Sequence, residues 1–99
     1  MRILVLNVNT TASMTRSIGD SARSAASPGT EIIELTPDFG ADSCEGNFES
    51  YLAAIAVMDK VVNYTEPFDA VIQAGYGELG REGLQELLDV PVVDITEAA

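Results

Sequence analysis

Two short stretches of this chain combine residue types and spacing suited to holding a small polar molecule. The first is Asn7-Val8-Asn9-Thr10-Thr11, placed after the apolar run Ile3-Leu4-Val5-Leu6 and before a helical pattern that begins near Ser13. Such a continuous apolar run reads as a short strand buried on both faces, as in a parallel sheet. The free N–H groups of a first helical turn, backed by the helix dipole, favour negative charge in the loop they face. Asn7, Asn9, Thr10 and Thr11 add neutral hydrogen-bond donors and acceptors to that anion site. The same residues would also serve merely to turn the chain and cap the helix, and spacing alone leaves both readings open.

The second stretch is Gln73-Ala74-Gly75-Tyr76-Gly77-Glu78-Leu79-Gly80. Gly75 and Gly77 allow the backbone to turn tightly and approach a ligand, and the successive N–H groups through Tyr76 could form an anion-binding nest. An ordinary strand-to-helix turn needs glycines as well, and the pair by itself favours that plainer reading. Little else in the chain suggests chemistry. Histidine is absent and there is one cysteine, Cys44, so no metal-ligand cluster forms and no metal is expected. Cys44 lies in a loop with no His or Lys nearby in sequence to lower its pKa, and reads as a small loop residue rather than a nucleophile. Glu78, Glu82 and Glu86 recur at i,i+4 and read as a solvated helix face.

These stretches need a scaffold, and the rest of the chain supplies the pattern for one. Met14, Ile18, Ala22 and Ala25/Ala26 recur at helical spacing until Pro28-Gly29. Thr30 to Leu35 reads as a second strand, its glutamates pointing to a sheet edge. The run from Thr36 to Asn47 is a long loop, either functional or mobile. Phe48 to Tyr64 predicts a second helix with Phe48, Leu52, Ile55, Met58 and Val62 as its inner stripe. Phe68 to Ala74 predicts a central third strand, followed by a short helix to Leu88 with Leu84, Leu87 and Leu88 facing inward. Pro91 opens a last strand, Val92 to Ile95, and Thr96 to Ala99 reads as the start of a further helix. This alternation predicts one α/β domain over residues 1–99: a flavodoxin-like parallel four-stranded sheet, order 2-1-3-4, with helices on both faces. The switch point then lies between the first and third strands, with Asn7–Thr11 facing Gly75–Gly77 across a crevice.

Charge narrows the partners. Sixteen acidic residues against five basic ones give a net charge of −11, which argues against nucleic acid and anionic membranes, since both need Lys/Arg clusters. A carboxylate ligand would have to overcome that field through local N–H groups, with salt screening the rest beyond about 8–10 Å. A single cysteine fits a reducing compartment, and with no signal-peptide pattern and no apolar run near the ~20 residues of a membrane helix, a cytoplasmic location is expected.

The opening Ile3-Leu4-Val5-Leu6-Asn7-Val8-Asn9-Thr10-Thr11-Ala12-Ser13-Met14-Thr15 resembles that of the hydantoin/allantoin racemase group of the aspartate/glutamate racemase superfamily, where a strand is followed by Asn-Pro-Asn-Thr and Ser-x-x-Met-Thr. Val8 stands where that pattern has Pro. The resemblance runs along the whole chain, which looks like the first half of those longer enzymes. It implies a cofactor-independent racemase-like or decarboxylase-like domain acting on a small carboxylate or cyclic ureide. In the family the second stretch is similar to Ala-Cys-Phe-Gly-Asp-Pro-Gly, so Gly75 occupies the position of the first catalytic cysteine. The related arylmalonate decarboxylases also carry glycine there, and use one cysteine of their second half. Glu45-Gly46 matches a Glu-Gly element of the loop that closes over the family's substrate pocket, although a solvated loop explains it equally. The resemblance thus implies no catalytic residue in this chain, a site built from Asn7, Asn9, Thr10, Thr11, Glu45, Gly75, Tyr76 and Gly77, and incomplete catalysis by the chain alone. The alternative expectation is a non-catalytic half-domain, natural or engineered, that pairs into a homodimer imitating the two-halved enzyme.

Overall fold

In a computed structural model, which describes residues 1–75 and 79–95, the elements run β1 (Arg2–Asn7), α1 (Ala12–Ala25), β2 (Glu31–Leu35), α2 (Asn47–Val62), β3 (Ala70–Ala74), α3 (Arg81–Leu87) and β4 (Val92–Asp94). The expectations for Tyr76, Gly77, Glu78 and the helix start at Thr96–Ala99 lie outside the described residues. The strands form one parallel sheet in the order β2-β1-β3-β4, as the alternation predicts. Among the described residues no helix is long and apolar enough to cross a membrane.

Strand register sorts the side chains onto two faces. Leu4 lies beside Ile33 and Val71, and Val71 beside Val92, so these point the same way. They meet Val57 and Val61 of α2 and Leu84 of α3 in the main core, with Leu6 also fully buried there. The opposite face carries Val5, Asn7 and Ile72 and meets α1. Its cover is narrower than expected, because α1 packs chiefly on β1 and β2. An open apolar cavity of about 450 Å³ remains, bounded by Val5, Ile18, Ala22, Ile72, Ala74 and Ile95. β2 is the edge strand its glutamates implied, and Arg23 of α1 clasps Glu34 there at 3.0 Å.

Three expected inner stripes need correction. In α2, Phe48, Ile55 and Val62 are exposed, whereas Ala53, Ala56, Val57 and Val61 are buried. The helix uses a side of small residues because α2 packs over the sheet while the loop before it covers Ala56; Lys60 holds that loop through Asp38 at 2.9 Å. In α1 the buried line is Thr15 and Gly19, and Met14 is half exposed. In α3, Leu84 is fully buried and Leu88 packs on the core, but Leu87 points to solvent, since seven residues present only one turn inward. The strand and helix ends otherwise fall within two residues of expectation, as fraying termini usually do.

Leu4→Ala is therefore expected to lower unfolding stability by about 2–5 kcal/mol in urea denaturation. Phe48→Ala, at an expected inner position that the fold exposes, should change it by no more than about 0.5 kcal/mol.

Candidate functional site

Above the carboxyl end of β1, the Asn7–Thr11 loop is built around a buried hydrogen-bond network. The Asn7 side-chain N–H groups donate to Asn9 Oδ1 (2.9 Å), Thr15 Oγ1 (3.1 Å) and the Thr11 carbonyl (3.2 Å). In return, Asn7 Oδ1 accepts the Asn9 N–H and Asn9 Oδ1 accepts the Thr11 N–H. Thr36 donates to Thr15 Oγ1 at 2.7 Å, joining the end of β2 to α1. Asn7 and Asn9 are thus buried organisers of the loop rather than open donors. The Asn9 side-chain N–H points to Met14 Sδ, a weak acceptor, at 3.4 Å. Thr11 occupies the N-cap position of α1 without making the side-chain cap, so of the plainer reading the turn holds, through Asn7 and Asn9, and the cap does not.

The long loop folds down over this turn. The Thr10 N–H donates to the Ala41 carbonyl. Thr10 Oγ1 donates to the Asp42 carboxylate at 3.2 Å and Thr11 Oγ1 to the Asp42 carbonyl at 3.3 Å. Cys44 Sγ lies 3.5 Å from the Val8 carbonyl. Burial first, and then the negative charge of Glu49, push its thiol pKa above the usual value. It remains protonated at neutral pH, which suits the loop role and not that of a thiolate base. Glu45 is exposed beside it and makes no described hydrogen bond.

On the other side of Val8, the second stretch is braced by residues that the sequence reading left unused. Gln73 is fully buried: its Oε1 accepts the Gly75 N–H and its Nε2 donates to the Leu79 carbonyl, tying both ends of the turn. Arg81 reaches the buried Asp94 carboxylate at 2.8 Å, fixing the start of α3 to the end of β4. A polar residue in an otherwise apolar central strand was the available signal for Gln73; the Arg81–Asp94 pair, separated by half the sheet's crossover, left none. Gly80 takes φ +96°, and a Cβ there would meet the Ala54 carbonyl at 2.9 Å.

Gly75 and Val8 face each other directly. A Cβ on Gly75 would lie 2.6 Å from Val8 Cγ1 and 2.9 Å from Leu79 Cδ1. The space that a cysteine at 75 would need is filled by the residue standing at the loop's expected proline position. The structure therefore joins Asn9, Thr10, Thr11, Cys44 and Gly75 around Val8 at one end of the sheet, and leaves Glu45 outward.

Comparison with known proteins follows this geometry. Residues 3–99 match the family model for Asp/Glu/hydantoin racemases. An allantoin racemase structure from Pseudomonas fluorescens superposes with a TM-score of 0.98 at 79% identity, over 100% of this chain and 42% of that one. An allantoin racemase from Klebsiella pneumoniae gives 0.93 at 38% identity, over 99% of this chain and 40% of that one. A hydantoin racemase of Paenarthrobacter aurescens is 37% identical over 100% of this chain and 43% of its own length. The chain spans about two fifths of the length of these relatives.

Gly75→Cys is expected to cost about 1–3 kcal/mol by overpacking against Val8. Adding Val8→Ala should recover part of that loss in denaturant melts, and a double variant no more stable than Gly75→Cys would refute the contact. Cys44 should alkylate more slowly in the native chain than in the urea-unfolded chain at pH 8. Because the folded state holds the thiol proton to higher pH, stability should fall as pH rises past the ordinary thiol range.

Proposed function

This chain belongs to the Asp/Glu/hydantoin racemase family, and on that footing we propose that it forms the lobe holding one side of a small cyclic ureide or carboxylate. The observation that carries the reading is the 79% identity to an allantoin racemase over the whole chain. The chemistry of the crevice supports a ureide over a carboxylate. A net charge of −11 and the Asp42 carboxylate beside Thr10 repel an anion. A neutral ureide offers N–H groups that Asp42 can accept and carbonyls that the free N–H groups of the first turn of α1 can meet, while the Thr10 and Thr11 hydroxyls keep their bonds to Asp42. Asp42 already occupies Thr10 as a carboxylate would, so a carboxylate ligand must displace it.

Racemisation by proton exchange requires an acceptor on one side of the carbon and a donor on the other. Gly75 provides no thiol at the family's first cysteine position, and Cys44 keeps its proton. Acting alone, the 99 residues bind without turning over, since neither of the two acid–base groups is among them. No cofactor enters this scheme.

Titration with allantoin or hydantoin, followed by backbone amide shifts, should move Thr10, Thr11 and Gly75 at millimolar ligand, and succinate should move them less. Asp42→Asn is expected to narrow the gap by strengthening the succinate response, whereas Thr10→Val weakens both. Shifts confined to other loops would remove the crevice from consideration. Measurable loss of the substrate's stereocentre proton into deuterated water, catalysed by the 99-residue chain, would contradict the proposed incompleteness.

A further inference from the structure

The sheet is covered on one face and only half covered on the other. The pleat that carries the main core is closed, with Val71, Gln73, Val92 and Asp94 all buried. On the opposite pleat, Ala70, Ile72 and Ala74 of β3 and Val93 of β4 are half-buried, because α1 packs chiefly on β1 and β2. The cavity of about 450 Å³ there is continuous with a second of about 360 Å³, the two sharing Ala22 and Ile72. Together they form a groove that runs from Ile3 and Ala26 at the amino ends of the strands to Ala74 and Ile95 at the carboxyl ends. Among the described residues no Asp, Glu, Lys or Arg side chain lines it, in a chain with 16 acidic residues. Parallel sheets are stable with both faces covered, and an uncharged apolar groove on so acidic a chain marks a place where something else packs.

Size and handedness define what covers it. The 5 residues of β3 make about 16 Å of strand, a length matched by a helix of about 11 residues. A helix about 10 Å across spans two strands set ~4.8 Å apart, and β3 and β4 are the two that α1 leaves bare. Right-handed crossovers put α1, which steps from β1 to β2, on one face and α2 and α3, which step the other way, on the opposite face. A crossover from β4 to a strand beyond it would therefore lie beside α3 and outside the groove. This chain superposes on the Pseudomonas fluorescens allantoin racemase with a TM-score of 0.98 over 42% of that protein, so the same elements are there less than half of a longer chain. We propose that the groove seats a helix from the polypeptide by which the relatives exceed this chain, lying along α1 without leading into a further strand of the sheet.

The lining sets the chemistry of that helix. Its inner side is uncharged, since no lining side chain would pair a buried charge, and its apolar residues at i, i+3 and i+4 face Ile18, Ile72 and Ile95. Ser17 and Ser21 on the α1 wall offer hydroxyls to a polar flank. A second copy of this chain fits the groove poorly. Two copies of one concave surface leave the space between them empty. Seating the exposed stripe of α2 in a partner's groove makes a head-to-tail contact, which satisfies every copy only in a closed ring. The inference rests on the family membership and not on the ligand proposed for the crevice.

Cysteine footprinting tests it. In a Cys44→Ser background, Ser21→Cys and Ile72→Cys report on the groove, while Ser24→Cys, exposed on α1 and lining neither cavity, is the reference. Each is placed in the 99-residue chain and in a chimera in which residues 1–99 replace the matching 42% of the Pseudomonas fluorescens allantoin racemase. Alkylation by iodoacetamide is read peptide by peptide by mass spectrometry. It should be at least about tenfold slower at Ser21→Cys and Ile72→Cys in the chimera than in the chain alone, with Ser24→Cys unchanged. Circular dichroism checks that both proteins fold. A chimera that does not fold is replaced by the Pseudomonas enzyme itself, with cysteines at the superposed positions, where the same shielding is expected. Equal reactivity of the groove cysteines in the short and long proteins overturns the inference. So does equal slowing at Ser24→Cys, or slowing in the 99-residue chain that grows with its own concentration and so gives the groove to a second copy.

Discussion

The arrangement of the crevice depends on one side chain, the amide of Asn7, at the point where the innermost strand leaves the sheet. The chain must there change from ladder hydrogen bonds to a helix start within four residues, in a place too buried for water to satisfy its backbone. Asn7 accepts from the Asn9 backbone and donates to Asn9, Thr11 and Thr15, so one residue fixes the turn, the entry to α1 and the depth of that helix. A buried network of this kind stabilises only when it is complete, since each orphaned group costs about 1–3 kcal/mol. Thr36 extends it to the end of β2, so the long loop starts from a fixed point as well.

A parallel solution operates on the other face of the sheet. The register that stacks Leu4, Val71 and Val92 also stacks Leu6, Gln73 and Asp94 one pleat further on. The core therefore turns polar towards the carboxyl ends, where Gln73 and the Arg81–Asp94 pair replace leucine packing. Both the Asn7–Thr11 turn and the turn after β3 are thus held by buried polar groups on the sheet. Between them sits Val8, closing with side-chain bulk the space that opens at Gly75.

The acidic surface is uneven in a way that follows from the packing. Charged residues crowd the loops and helix edges, while α2 presents aromatic and aliphatic side chains outward and the far side of β3 lies open beneath α1. The inner side of α2 is made of Ala53, Ala56, Val57 and Val61, of which the two valines pack into the main core. The large residues Phe48, Tyr51, Ile55 and Val62 of the helix stay exposed.

Hydrophobic periodicity and turn residues by themselves determined the element order, the parallel sheet and its 2-1-3-4 order. A continuous apolar run, an edge strand marked by glutamates and right-handed crossovers leave few other arrangements. The same reasoning places an expected crevice between the first and third strands, because a switch point is a property of topology. It failed on which side of α2 is buried: a helix that is apolar on more than one side has no unique inner stripe, and only the gap left by the sheet and the preceding loop chose Ala53, Ala56 and Val57 over Phe48 and Ile55. It left Asn7 and Asn9 open between holding a ligand and turning the chain, since residue type shows hydrogen-bonding capacity but not how it is used. Tertiary contact alone decided that, by placing Thr15 within reach of Asn7, Thr36 within reach of Thr15, Asp42 within reach of Thr10, and Asp94 within reach of Arg81. Such pairings join residues far apart in the chain, and their distances exist only once the sheet has formed.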